Sequence, residues 1–320
     1  MGILGTQPIL TEGGEGSNLA SIQEILAVPD TVARVTDANW PSMQTPPDFF
    51  LIQDVHRHPH VQSLVASLVV HGYDYWGVKK VFLEGAFTPL DMSVFHRVPN
   101  KTRSLLMQRL VNDGSLSGPE LAAIEIMEKE WRDPPVSPFQ LFGMEDPKLY
   151  RQNVQAYQSV LALRDRALLD LISVRRLQNS MHLPEPNLLN KQLDRVEAML
   201  HLKLTPSEYE DYLQAKDAVP STSALTPAIQ AAEEFYRVVQ LRSQFFLREV
   251  ARKVPASTAP RILVVGGFHT AAMASFLRQE GRSFVVLTPL VDSTETDPLY
   301  EKRMKETSDI LAQALIPAAH

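Results

Sequence analysis

A chain of 320 residues with 44% hydrophobic and 21% charged side chains has the composition of a globular protein with a sizeable core. Its net charge of -6 leaves no dominant basic patch and argues against nucleic acid as a partner. There are no cysteines, so thiol nucleophiles, disulfides and Cys-ligated zinc are excluded, and any metal must be held by His, Asp and Glu.

Residues 1–44 read as an acidic, Gly- and Ser-containing arm, a short helix in "SIQEILAVPD" and an irregular lead-in. Residues 45–150 read as the first half of an α/β core. "DFFLIQDVH" is a continuous apolar run of strand length, the pattern of a strand buried on both faces. "HVQSLVASLVVHGY" has apolar residues at helical spacing, with Gly72 as its expected terminator. "VKKVFLEG" is a second strand, so the unit is strand, helix, strand with a parallel crossover. Helices are expected in "KTRSLLMQRLVNDG" and "SGPELAAIEIMEKEW", and "FQLFGMED" reads as a third strand.

Residues 151–257 read as a long helical insert. Val154, Tyr157, Leu161, Leu168, Leu171 and Ile172 form one apolar stripe; Ile229, Phe235, Tyr236, Val239, Phe246 and Val250 form another. Between them, "TPSEYEDYLQAKD" opens with a capping box, Thr205 with Glu208. The stripes need one another for burial, so an antiparallel bundle is expected, with no chemistry of its own beyond lining or capping a site. It also offers a surface for a homo-oligomer. Residues 258–320 return to the α/β pattern: strand "RILVVGG", helix "AAMASFLRQEG", strand "SFVVLTP" and a closing helix "YEKRMKETSDILAQAL". The expected fold is therefore α/β, a mostly parallel sheet flanked by helices and carrying a helical insert. No apolar run reaches membrane-spanning length, and the start lacks the basic region and apolar core of a signal peptide. A soluble protein is expected, either cytoplasmic or exported with its signal removed.

Chemistry gathers where these strands end. Asp54 and His56 follow the first, Glu84 the second, Glu145 and Asp146 the third, and His269 the fourth. In an open parallel sheet all strand carboxyl ends lie on one edge, where ligands bind. Gly85, Gly266 and Gly267 lie beside these groups and permit close backbone approach to a ligand. His56, Glu84, His269, Asp54 and Glu145 are thus the candidate catalytic residues, and His58, Gly266 and Gly267 the candidate cofactor-binding ones. Glu145 and Asp146 have an alternative role as a helix N-cap before "PKLY". His58 and His60 open a helix, and His71, His96, His182 and His201 read as solvated or core-edge residues. Imidazole with carboxylate suits a divalent metal such as Mn, Co or Zn, with His56, Glu84 and His269 as ligands; the metal lowers the pKa of bound water to about 7. Without metal, the same groups suit a His general base with a Glu acid or orienter. There is no G-x-S-x-G elbow, H-E-x-x-H, phosphate-binding loop or dinucleotide fingerprint.

The order "QDVH", "FLEGA" and "VGGFH", with "FGMEDPKLYRQN" between the last two, resembles the superfamily that joins the Tiki/TraB proteins with the erythromycin-esterase and ChaN-like proteins. Gln53 departs from that pattern, which has Gly or Glu there. The resemblance implies hydrolysis of a peptide by a metal-dependent, Tiki-like enzyme, or of a small ester by a metal-free His base. Through the ChaN-like members it also implies a haem- or metal-binding protein without catalysis. The leading expectation is a metal-dependent, peptidase-like hydrolase.

Overall fold

The structure, a computed structural model, describes residues 16–54, 58–87, 89–180, 186–253 and 259–290. Seven strands form one sheet: β1 (Ala33–Asn39), β2 (Phe49–Asp54), β3 (Lys80–Leu83), β4 (Pro89–Leu90), β5 (Gln140–Gly143), β6 (Arg261–Gly266) and β7 (Phe284–Pro289). Their order is β1-β7-β2-β6-β3-β5-β4. The five central strands run parallel, and β1 and β4 are antiparallel edges. The fold is α/β, as the alternation of strand and helix patterns predicts.

Every residue of β2 and β6 is buried, because helices cover both faces of the sheet. Successive side chains point to opposite faces. Phe50, Ile52, Val81, Leu83, Ile262 and Val264 pack with α1 (Gly16–Ile25), α2 (Pro59–Tyr75), α3 (Asn100–Asn112) and α4 (Gly118–Arg132). Phe49, Leu51, Phe82, Leu263 and Val265 pack on the other face against α9 (Gly267–Gln279) and the C-terminal half of α8 (Leu225–Lys253).

A third core lies in the helical insert, where α5 (Pro147–Ser180), α6 (Pro186–Leu200), α7 (Pro206–Gln214) and the first half of α8 bury their stripes together. Thr205 and Glu208 form the predicted capping box at the start of α7. Phe268 of α9 joins this core, its ring 5.7 Å from that of Tyr236. Helix α8 therefore runs from the bundle core onto the sheet. Its Tyr236 and Val239 belong to the first, and its Phe246 and Val250 to the second.

Three local expectations change. The irregular lead-in contains strand β1, whose apolar pattern is confined to Ala33 and Val35; as an edge strand it buries too few side chains to show in periodicity. Helix α2 runs through Gly72 to Tyr75. Gly72 is there for close packing, since a Cβ would lie 2.8 Å from Ile262 Cδ1 and 3.0 Å from Trp76 Cε3. Ile172, expected inward, is exposed, as are Leu169 and Leu177 on the same helix. Residues 1–15 of the expected arm and the closing helix after 290 lie outside the described residues, and the arm's remainder enters helix α1. Among the described residues, no helix is long and apolar enough to cross a membrane.

Candidate functional site

The β2, β3, β5 and β6 ends do meet at one edge. Glu84 follows β3 in a turn completed by Gly85 at φ +84°, a left-handed conformation that glycine adopts without strain. Gly143 ends β5 and passes so close to that turn that a Cβ would lie 2.2 Å from the Ala86 carbonyl. The approach is fixed by Glu145 N–H donating to the Ala86 carbonyl at 2.8 Å. Sharp turns of small residues thus bring Glu84 and Glu145 side by side.

Arg242 of α8 joins them. Its Nη2 donates to Glu84 Oε1 at 2.9 Å and to Glu145 Oε1, and its Nε donates to Glu145 Oε2 at 3.3 Å. The Glu145 side chain is fully buried, and those of Glu84 and Arg242 are nearly so. Glu145 Oε1 also accepts the Gly85 N–H at 3.2 Å, and Glu84 Oε2 the Gly266 N–H at 2.8 Å. Gly266 is the N-cap of α9, so the positive end of that helix faces Glu84. Burying charge is costly unless each oxygen is paired, and here the backbone and the guanidinium do that together.

His269, in the first turn of α9, places Nε2 3.4 Å from Glu84 Oε1. Its Nδ1 lies 2.7 Å from Ser243 Oγ, and Ser243 Oγ also lies within donating distance of the Val239 carbonyl, at 3.2 Å. When the Ser243 hydroxyl donates to Nδ1, the ring carries its proton on Nε2, facing the carboxylate. When the hydroxyl donates to Val239, it accepts from Nδ1–H. Ser243 can therefore donate to or accept from His269 Nδ1 by rotating one hydroxyl. Phe246 covers the imidazole at 4.9 Å between centroids.

A cleft of 260 Å³ opens on this cluster. Its walls include Asp54, Glu84, Glu120, Tyr150, Asn153 and Arg242. His269 stands behind Glu84, outside the described lining. Asp54 accepts from Gln62 Nε2 at 2.7 Å, and Gln62 Oε1 accepts the Gly118 N–H at 2.6 Å, so one buried amide ties the end of β2 to the start of α4.

Glu84, Glu145 and His269 are thus gathered as the sequence suggests, with Asp54 on the same cleft. The alternative cap role falls to Asp146, whose Oδ1 accepts the N–H groups of Lys148 and Leu149, while Glu145 turns into the cluster. His58 is the N-cap of α2, its Nδ1 accepting from Val61 N–H at 3.4 Å. Gly266 is the N-cap of α9 and gives its N–H to Glu84, and Gly267 opens the helix. His56 lies outside the described residues. Among the described residues, no group of three or more His, Asp or Glu is arranged to hold a metal ion. The Glu84 oxygen that faces His269 is the one bonded to Arg242, so this pair does not by itself fit a dication.

Arg242 and Ser243 were not singled out in the sequence, yet a signal for them exists. The α8 stripe Phe235, Tyr236, Val239, Phe246, Val250 has a step at 242 and 243 where apolar residues belong, and it holds Arg-Ser instead. A charged side chain at a buried stripe position must find a partner. Through α8 the insert therefore lines the cleft with Arg242 and places Ser243 against His269.

Fold and site together define an α/β protein with a buried Glu–Arg–His cluster at the carboxyl edge of its parallel sheet. No protein-family model, no curated protein and no solved structure matches the chain.

Proposed function

We propose that this protein is a hydrolase acting on a small ester or amide without a metal. The observation that carries the reading is Glu84: it lines the cleft, is fixed by Arg242 and the Gly266 N–H, and has His269 Nε2 3.4 Å behind it. A carboxylate backed by an imidazole can take a proton from water and pass it on. In this reading Glu84 removes a proton from a water in the cleft as its oxygen bonds to the substrate carbonyl. Arg242 stabilises the negative charge that develops there, and the proton held by Glu84 and His269 goes to the departing alcohol or amine as its bond to carbon breaks. Buried ion pairs contribute weakly to stability compared with apolar packing, which favours a functional reason for keeping this one.

The peptidase-like, metal-dependent version needs Glu84 to exchange Arg242 for the ion. A haem-binding role has less support, since 260 Å³ falls below the roughly 300–1,000 Å³ of pockets that enclose drug-sized ligands. The exposed Leu169, Ile172 and Leu177 of α5 are the surface we propose for self-association through the bundle, which sedimentation velocity tests.

The function is tested by assaying a panel of esters and short peptides with and without chelator. Turnover indifferent to chelator and reduced about 100-fold or more in Glu84→Gln is the expected result, that being the ordinary contribution of one acid–base group. Full activity in Glu84→Gln, or no turnover across the panel, overturns the reading. Turnover that chelator abolishes favours the metal-dependent version.

A further inference from the structure

The cleft has a chemical bias that the hydrolase reading does not use. Its described walls carry three carboxylates, Asp54, Glu84 and Glu120, and one cation, Arg242, which Glu84 and Glu145 already engage. Acidic walls alone do not make a site, but a second observation is independent of them. Asn153 lines the same cleft, is only 4% exposed, and its side-chain Oδ1 has no hydrogen-bond partner among the described residues. A buried carbonyl oxygen left without a donor is costly, and at the wall of a cleft a donor from outside the chain can satisfy it. One turn earlier on α5, Tyr150 adds an aromatic wall, and the half-exposed Phe87 meets it edge-on at 5.3 Å. Aromatic faces attract cations as well as apolar groups.

From these we infer that the cleft binds a ligand carrying a protonated primary amine next to an apolar or aromatic group. An ammonium has three donors and no acceptor. It supplies what Asn153 Oδ1 lacks, is drawn by the carboxylate walls, and lies against the Tyr150 ring. A carboxylate ligand is repelled by the same walls, and a neutral hydroxyl gains only one donor. Taken with the reading above, on which this extension rests, the substrate class is an ester or amide of an amine-bearing molecule. The binding preference itself does not depend on hydrolysis.

The test uses three probes of one shape with no scissile bond: 2-phenylethylamine, 2-phenylethanol and 3-phenylpropionate. Each is titrated calorimetrically into the full chain at pH 7. The amine is expected to bind at least about tenfold more tightly than the alcohol, with the carboxylate weakest. Asn153→Leu and, separately, Asp54→Asn should each reduce the amine's advantage to about threefold or less, weakening the amine more than the alcohol. Asn153→Asp keeps an acceptor at the position and should retain the preference, which guards against a Leu variant that fails to fold. Equal binding of amine and alcohol, tighter binding of the carboxylate, no binding of any probe, or a preference indifferent to Asn153→Leu and Asp54→Asn overturns the inference. Hydrolysis of neutral esters without an amine preference would remove this inference and leave the hydrolase reading standing; amine binding without turnover would do the reverse.

Discussion

Replacing Arg242 by Met keeps most of the buried stem and removes only the charge and its hydrogen bonds. Two carboxylates, Glu84 and Glu145, then lie together with side chains 7% and 0% exposed and no guanidinium between them. Removing one partner of a buried ion pair costs about 3–5 kcal/mol. A stranded carboxylate can escape by taking up a proton. For a glutamate of ordinary pKa, about 4.3, that costs about 3.7 kcal/mol at pH 7 and about 1 kcal/mol at pH 5, at 1.36 kcal/mol per pH unit. Proton uptake thus caps the loss per carboxylate and makes it depend on pH. Urea denaturation of wild type and Arg242→Met at pH 7 and pH 5 should show a loss of about 3–4 kcal/mol at the higher pH, shrinking by about 2 kcal/mol or more at the lower. Adding Glu145→Gln to the variant should recover most of the pH 7 loss, because the amide carries no charge. A loss below about 1 kcal/mol at pH 7, or one that does not change with pH, would refute the idea that the guanidinium offsets the burial of the two carboxylates.

Ser243→Ala should cost about 1–2 kcal/mol by leaving His269 Nδ1 without its partner, and should lower turnover; nitrogen NMR at alkaline pH should find the neutral ring protonated on Nε2 in the wild type, and the opposite tautomer there would contradict the assigned role of Ser243. Gly143→Ala places a Cβ 2.2 Å from backbone atoms of Ala86, which cannot give way as a side chain can, so a loss of about 3 kcal/mol or more is expected in urea denaturation, together with loss of the cluster. Asp48 is pushed up by burial, yet the hydrogen bonds and charge of Arg282 and the bonds from Ser283 outweigh this and hold it below its usual 3.8. A carboxyl lowered in the folded state stabilises above the unfolded value and loses that contribution as pH falls through the folded one, so the wild type should weaken on acidification below about 4 more steeply than Asp48→Asn. An unchanged acid limb in that variant would remove Asp48 from the account.

Local periodicity determined most of the fold. "FFLI" and "ILVV" are apolar at every position, which suits only a strand covered on both faces, and the stripes of α5 and α8 repeat at helical spacing. The capping box at Thr205 is equally local. Strand β1 was not legible, because an edge strand pairing along one side needs few apolar residues and leaves little period to read. At the site, Glu84, Glu145 and His269 could be named from the sequence because each follows a buried strand run, and a parallel sheet sends all such ends to one edge. The split between Glu145 and Asp146 was decided by tertiary structure: both precede α5, but only one can bond the free N–H groups of its first turn, and the other faces Arg242. Arg242 itself lies 158 residues from Glu84 and 97 from Glu145, on a helix whose own pattern records only that something polar occupies a buried step. Periodicity reports which face of an element is covered, not what covers it, so that pairing exists only once α8 has crossed from the bundle onto the sheet.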